Sequence, residues 1–118
     1  MRFSHTKAHR ILKRNEFVEL AKSGRKIQNE HFIAFFCPGQ HSRSRLGITV
    51  TKKVGHAVKR NRIKRIVREF FRLNRHYLSA NWDIIIIAKR HIAGIASEQA
   101  YRSLQNIFDR ISEYDDHQ

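Results

Sequence analysis

The sequence predicts a single mixed α+β domain, an α/β sandwich of helices on a sheet, spanning residues 1–118. Three observations carry that reading. Two apolar runs, His31 to Cys37 and Trp82 to Ala88, have strand length and are rich in aromatic or β-branched residues. Between them, Ile63, Ile66, Val67 and Phe70 recur at i, i+3, i+4 and i+7, which is helical spacing. The order helix, strands, helix, strand, helix runs without an internal repeat or a low-complexity linker, as one sandwich requires.

Taken in order, Met1 to His9 reads as a flexible basic arm. Asn15 is placed to cap a short helix from Glu16 to Lys22, with Glu16 and Glu19 near its positive end and Gly24 after its last turn. The strand from His31 to Cys37 stops at Pro38-Gly39, and a polar connection follows to Arg45. From Leu46 to Lys52, Leu46, Ile48 and Val50 alternate with Gly47, Thr49 and Thr51, the pattern of a strand with one apolar face. Gly55 precedes a helix from Ala57 to Leu73. Trp82 to Ala88, nearly all isoleucine, reads as a buried strand. Ser97 is placed to cap a last helix whose Ala100, Leu104, Ile107, Phe108 and Ile111 keep helical spacing.

Charge is the most informative property. The chain carries a net +14 over 118 residues. Residues 1–93 hold 22 basic and 5 acidic side chains, against 2 and 5 in residues 94–118. Between Lys52 and Arg75 stand ten basic residues and one acid, Glu69. At 100° per residue, Lys64, Arg65, Arg68 and Arg72 lie opposite the apolar stripe, with Asn61 among them and Arg60 and Arg62 at the flanks. A merely solvated helix mixes signs for i,i+4 pairing, whereas this one has almost no acids to pair with. Like charges at this density repel unless a polyanion lies against them, and nucleic acid is the leading candidate.

Other classes fit less well. An anionic membrane would ask for exposed bulky apolar residues, but here the apolar stripe is needed for the core. No run of about 20 apolar residues exists. A DNA reader would want a short recognition helix with a partner helix, and none is seen. The eight histidines are scattered without metal-ligand spacing, and no nucleophile–base motif or phosphate loop appears, so no protein-borne active site is expected. The one cysteine, Cys37, and the absence of an apolar leader from Met1 to Arg14 fit a reducing cytoplasm.

The run RLGITVTKKVG from residue 45 to 55, followed by AVKRNRIKR from 57 to 65, resembles the signature of the protein subunit of bacterial ribonuclease P. Its hallmark is the triplet Arg60, Asn61 and Arg62. The likeness extends to Asn15-Glu16-Phe17 with Gly24, to Phe32 through Phe36, to Asp83 through Ala88, and to Ser103-Leu104 with Phe108. A structural RNA-binding protein, such as a ribosomal protein, shares the size and charge but not this continuous motif.

The resemblance implies an αβββαβα order with a left-handed βαβ crossover, the topology of a ribosomal-protein domain. It implies the protein partner of a catalytic RNA in an endoribonuclease, a hydrolase that removes the 5′ leader from precursor tRNA. Hydrolysis then belongs to the RNA with Mg²⁺, and no cofactor is held by the protein alone. It implies a surface facing the catalytic RNA, carried over to Lys52, Lys53, Arg60, Asn61, Arg62, Lys64, Arg65 and Arg68. It implies also a cleft for the single-stranded leader, carried over to Phe17 and Phe35, whose rings suit base stacking. Phe35 shares a strand face with Ile33, opposite Phe32 and Phe36, so one face must be core. Ala21 stands where some relatives carry a second cleft aromatic, and Tyr114 is a further candidate for the cleft border.

Overall fold

Trp82–Ala88, the strand of isoleucines, is the central support of the molecule in the computed structural model, which describes residues 14–39, 43–78 and 81–116. Along the chain lie α1 (Arg14–Ser23), β1 (Arg25–Gln28), β2 (Phe32–Pro38), β3 (Arg45–Thr49), α2 (Ala57–Asn74), β4 (Trp82–Ala88) and α3 (Ser97–Asp116). This is the αβββαβα order. Short 3₁₀ turns occupy Lys52–Val54, Arg75–Tyr77 and Arg90–Gly94. The sheet order is β1-β2-β4-β3; β2 is antiparallel to both neighbours, while β3 and β4 run parallel. A parallel pair needs a long crossover, and α2 supplies it.

Both faces of β4 are apolar because both are covered. Trp82, Ile84, Ile86 and Ala88 belong to the main core, with Ile63, Ile66, Val67, Phe70 and Phe71 of α2 and Leu104, Ile107, Phe108 and Ile111 of α3. Rings interlock edge to face there: Phe70 meets Phe108 at 5.0 Å and Phe36 meets Trp82 at 5.5 Å between centroids. The helical phase read from the sequence therefore holds, and Phe71 beside the stripe is fully buried as well. On the other face, Ile85 packs with Leu20 of α1 in a second, smaller cluster that Phe17, Phe35, Cys37 and Ile87 border.

Several expectations change. Among the described residues α1 begins at Arg14, so Asn15 lies within its first turn and does not precede it. The helix ends as expected, with the Gly24 N–H donating to the Leu20 carbonyl at 2.8 Å. Ser97 is the first residue of α3, whose opening backbone bond runs from Ala100 to Ala96. Lys52 belongs to a 3₁₀ turn, because β3 stops at Thr49. That turn closes with the Gly55 N–H on the Lys52 carbonyl, and Gly55 has φ 152° and ψ −166°, a conformation essentially reserved for glycine. Strand β1 is the third strand that the αβββαβα order implies; the residue pattern alone left it unplaced. The basic arm, Met1 to His9, lies outside the described residues.

Candidate nucleic-acid interface

Alternation along β2 assigns the aromatic rings. Phe32 and Phe36 are fully buried toward α2 and α3, while Phe35 is half-buried on the α1 side. There a cleft of about 500 Å³ opens between α1 and the sheet, lined by Arg14, Phe17, Val18, Ala21, Phe35, Thr49, Ile85 and Ile87. Both aromatic positions singled out from the sequence meet in it. Ala21 contributes only a methyl group to the wall. Tyr114 does not border it: its ring packs edge-on against Phe36 at 5.2 Å, on the opposite face of the sheet, under the Arg25 guanidinium.

Cations flank this apolar floor. Arg14 lines the α1 side. On β1, Lys26 pairs with Phe35 in register and holds its ammonium 5.9 Å above the ring centroid. Sequence reasoning missed both, because Lys26 faces Phe35 only once Arg25–Gln28 is known to be a strand. An apolar, aromatic floor with cations at its rim has the chemistry to stack bases and pair phosphates.

Strand β3 sets out the cleft's edge residue by residue. Arg45, Gly47 and Thr49 share one face: Thr49 lines the cleft, and Gly47 lets Phe17 approach so closely that a Cβ there would lie 2.6 Å from its Cζ. Arg45 donates from Nε and Nη2 to the Asp83 carboxylate at 3.1 and 3.0 Å, and from Nη2 to Glu16 Oε2 at 2.8 Å. The hydrogen bond to Asp83, more than any other contact, pushes the Arg45 guanidinium further above its already high range. Cys37, on the same sheet face, has its thiol pushed up, first by burial and then by the nearby Asp83 charge.

Three residues beyond Thr49 the basic surface begins. Lys52 and Lys53 are exposed on the 3₁₀ turn, as are Asn61, Arg65 and Arg68 on α2; Arg60, Arg62 and Lys64 are half-buried. The first turn of α2 carries no acid and no side-chain cap, so the positive end of its dipole adds to the field of these cations. Two members also serve the fold. Arg60 donates Nε to the Gly55 carbonyl at 3.2 Å, closing the turn into α2. Arg62 donates Nη2 to the Ile95 carbonyl at 2.6 Å and to Ser97 Oγ at 3.4 Å, tying α2 to the start of α3. Glu69, the one acid of the helix, is used by Arg72.

The model of the ribonuclease P family matches residues 5–112. The chain belongs to the ribonuclease P protein family. The ribonuclease P protein component of Desulfatibacillum aliphaticivorans is 53% identical over 111 residues, covering 94% of each chain. Among solved structures, the RNase P protein of Staphylococcus aureus superposes with a TM-score of 0.84 at 35% identity, over 89% of this chain and 96% of that one. That of Thermotoga maritima gives 0.78 at 33% identity, over 86% and 96%. The chain is thus a protein subunit of ribonuclease P and acts in tRNA processing. No described helix of this ribonuclease P protein is long and apolar enough to cross a membrane.

Proposed function

We propose that this ribonuclease P protein holds the single-stranded 5′ leader of precursor tRNA in the α1–sheet cleft while its basic helix binds the catalytic RNA. One observation carries the reading: β3 joins the two surfaces, with Thr49 in the cleft and Lys52, three residues on, opening the basic face. Substrate and catalytic RNA are thereby held at a fixed separation by β3 and the 3₁₀ turn that follows it. Phe17 and Phe35 supply faces on which any base stacks, and Arg14 and Lys26 supply charge for its phosphates. Lys52, Lys53, Asn61, Lys64, Arg65 and Arg68 bind the catalytic RNA, with Arg60 and Arg62 contributing from its edges. Guanidinium forks grip phosphate oxygens, and Asn61 both donates and accepts toward 2′-hydroxyl or base edges.

Hydrolysis belongs to the RNA in this reading, with Mg²⁺ bound by RNA oxygens, which suit that hard cation. Glu16 and Asp83, the two carboxylates at the α1–sheet contact, are bridged by Arg45 and do not fit Mg²⁺. The test is reconstitution with the cognate RNA at low Mg²⁺. Cleavage of precursor tRNA should be strong for the pair and weak for either component alone; cleavage by the protein alone would refute this division of labour.

A further inference from the structure

We propose that Arg45 is a positioning residue for the leader cleft, clamping the α1 wall to the sheet through Glu16 and Asp83. The inference rests on the cleft being the leader site. Helix α1 is lightly attached: of its ten residues only Leu20 is fully buried. Two contacts side by side on β3 help to hold its N-terminal half, which supplies Arg14, Phe17 and Val18 to the cleft. One is Phe17 over Gly47. The other is Glu16 on Arg45, whose side chain is only 12% exposed and is anchored in turn by Asp83, at 15%.

Arg45 is a poor candidate for a direct phosphate contact. Two of its three nitrogens are engaged by carboxylates, and the Glu16–Arg45–Asp83 group carries a net negative charge in a protein of net +14. Negative charge beside a polyanion site repels the ligand. A geometric role accounts for keeping it: the clamp sets the distance of Phe17 and Arg14 from Phe35 and Lys26 across the cleft.

The two effects have opposite signs, which makes the clamp testable. Glu16→Ala, in the full chain reconstituted with the catalytic RNA, should weaken precursor tRNA binding by roughly three- to tenfold, with mature tRNA binding little changed. Electrostatics alone would tighten precursor binding, and unchanged or tighter binding overturns the clamp. Glu16→Gln, whose amide oxygen still accepts from Arg45 Nη2, should retain more of the precursor advantage than Glu16→Ala. Amide hydrogen exchange in α1 should quicken in Glu16→Ala alone. Phe35→Ala, run alongside, separates the two levels of inference. If it loses the precursor advantage and Glu16→Ala keeps it, the clamp falls and the leader site stands. If both keep it, the leader site falls and the clamp with it.

Discussion

The ring of Phe17 lies directly over the backbone of Gly47, close enough that a single added methyl would meet its Cζ at 2.6 Å. The α1 wall of the cleft is therefore seated on a position where β3 has no side chain. Gly47→Ala should push the Phe17 ring outward, since the clashing atom is the far end of a side chain and the backbone is spared. Overpacking of this kind costs about 1 kcal/mol or more. The expected outcome is a small fall in denaturation midpoint and a loss of precursor tRNA affinity, measured by urea titration and by binding to the reconstituted holoenzyme. Intact precursor binding would show that the Phe17 ring position does not matter to the leader.

Phe35 gives the sharper measurement, because its exposed face looks into the cleft while its neighbours Phe32 and Phe36 fill the core. Phe35→Ala should weaken precursor tRNA binding by about 1–3 kcal/mol, the value of one stacked base, and leave mature tRNA binding near its original level. Phe36→Ala should behave differently, costing about 3–5 kcal/mol of stability. Equal losses on both tRNAs for Phe35→Ala would mean that the ring serves packing.

Arg62 and Arg65 separate fold from function on one helix. Arg65 is exposed, and Arg62 is bound to the Ile95 carbonyl at 2.6 Å. Arg65→Ala should leave the melting temperature unchanged and lower the slope of log affinity against log salt by about 0.7–0.9 if it contacts one phosphate. Arg62→Ala should weaken RNA binding and also lower stability by about 1 kcal/mol through the lost α2–α3 tie. A melting temperature unaffected by Arg62→Ala would make that tie irrelevant to the fold.

Cys37 should react slowly. Its thiol is pushed up by burial and by Asp83, so less thiolate exists at pH 8 than for an exposed cysteine, and thiolate is the reactive form. Labelling with a disulfide reagent should accelerate as pH rises above the ordinary thiol range and accelerate sharply in urea, where both causes vanish. Labelling in native buffer as fast as for a free thiol would contradict the assignment.

What the sequence revealed follows from how far each signal is local. The β4 strand was legible at both ends because five consecutive apolar residues admit little else at that length. The phase of α2 was legible because its apolar stripe is regular and its opposite face is almost wholly basic. Strand β1 was not legible: Arg25, Lys26, Ile27 and Gln28 include one apolar residue, and only pairing with β2 makes them a strand. Nor did alternation decide which face of β2 is core, since both faces carry phenylalanine. The packing of α3 decides it, and the same packing draws Tyr114 away from the cleft. Arg62 and Arg45 show the converse limit. Both sit in the basic motif, yet their partners, Ile95 and Asp83, lie more than thirty positions away.

Lys26 tests the cleft as an electrostatic as well as a stacking site. Its ammonium stands over the Phe35 ring, and among the described residues it takes part in no ion pair, so an incoming phosphate has no acid to displace. Because β1 is the edge strand, the side chain can follow a phosphate without disturbing the sheet. Lys26→Ala should therefore reduce the salt slope of precursor tRNA binding by about 0.7, the contribution of one contact to a single strand. The slope for mature tRNA, which lacks the leader, should not move. Lys26→Arg should restore the slope, since charge and not the ammonium's shape is what the phosphate reads. A shortened leader ending before the cleft should make wild type and Lys26→Ala indistinguishable; a difference that survives leader removal would place Lys26 on the catalytic RNA.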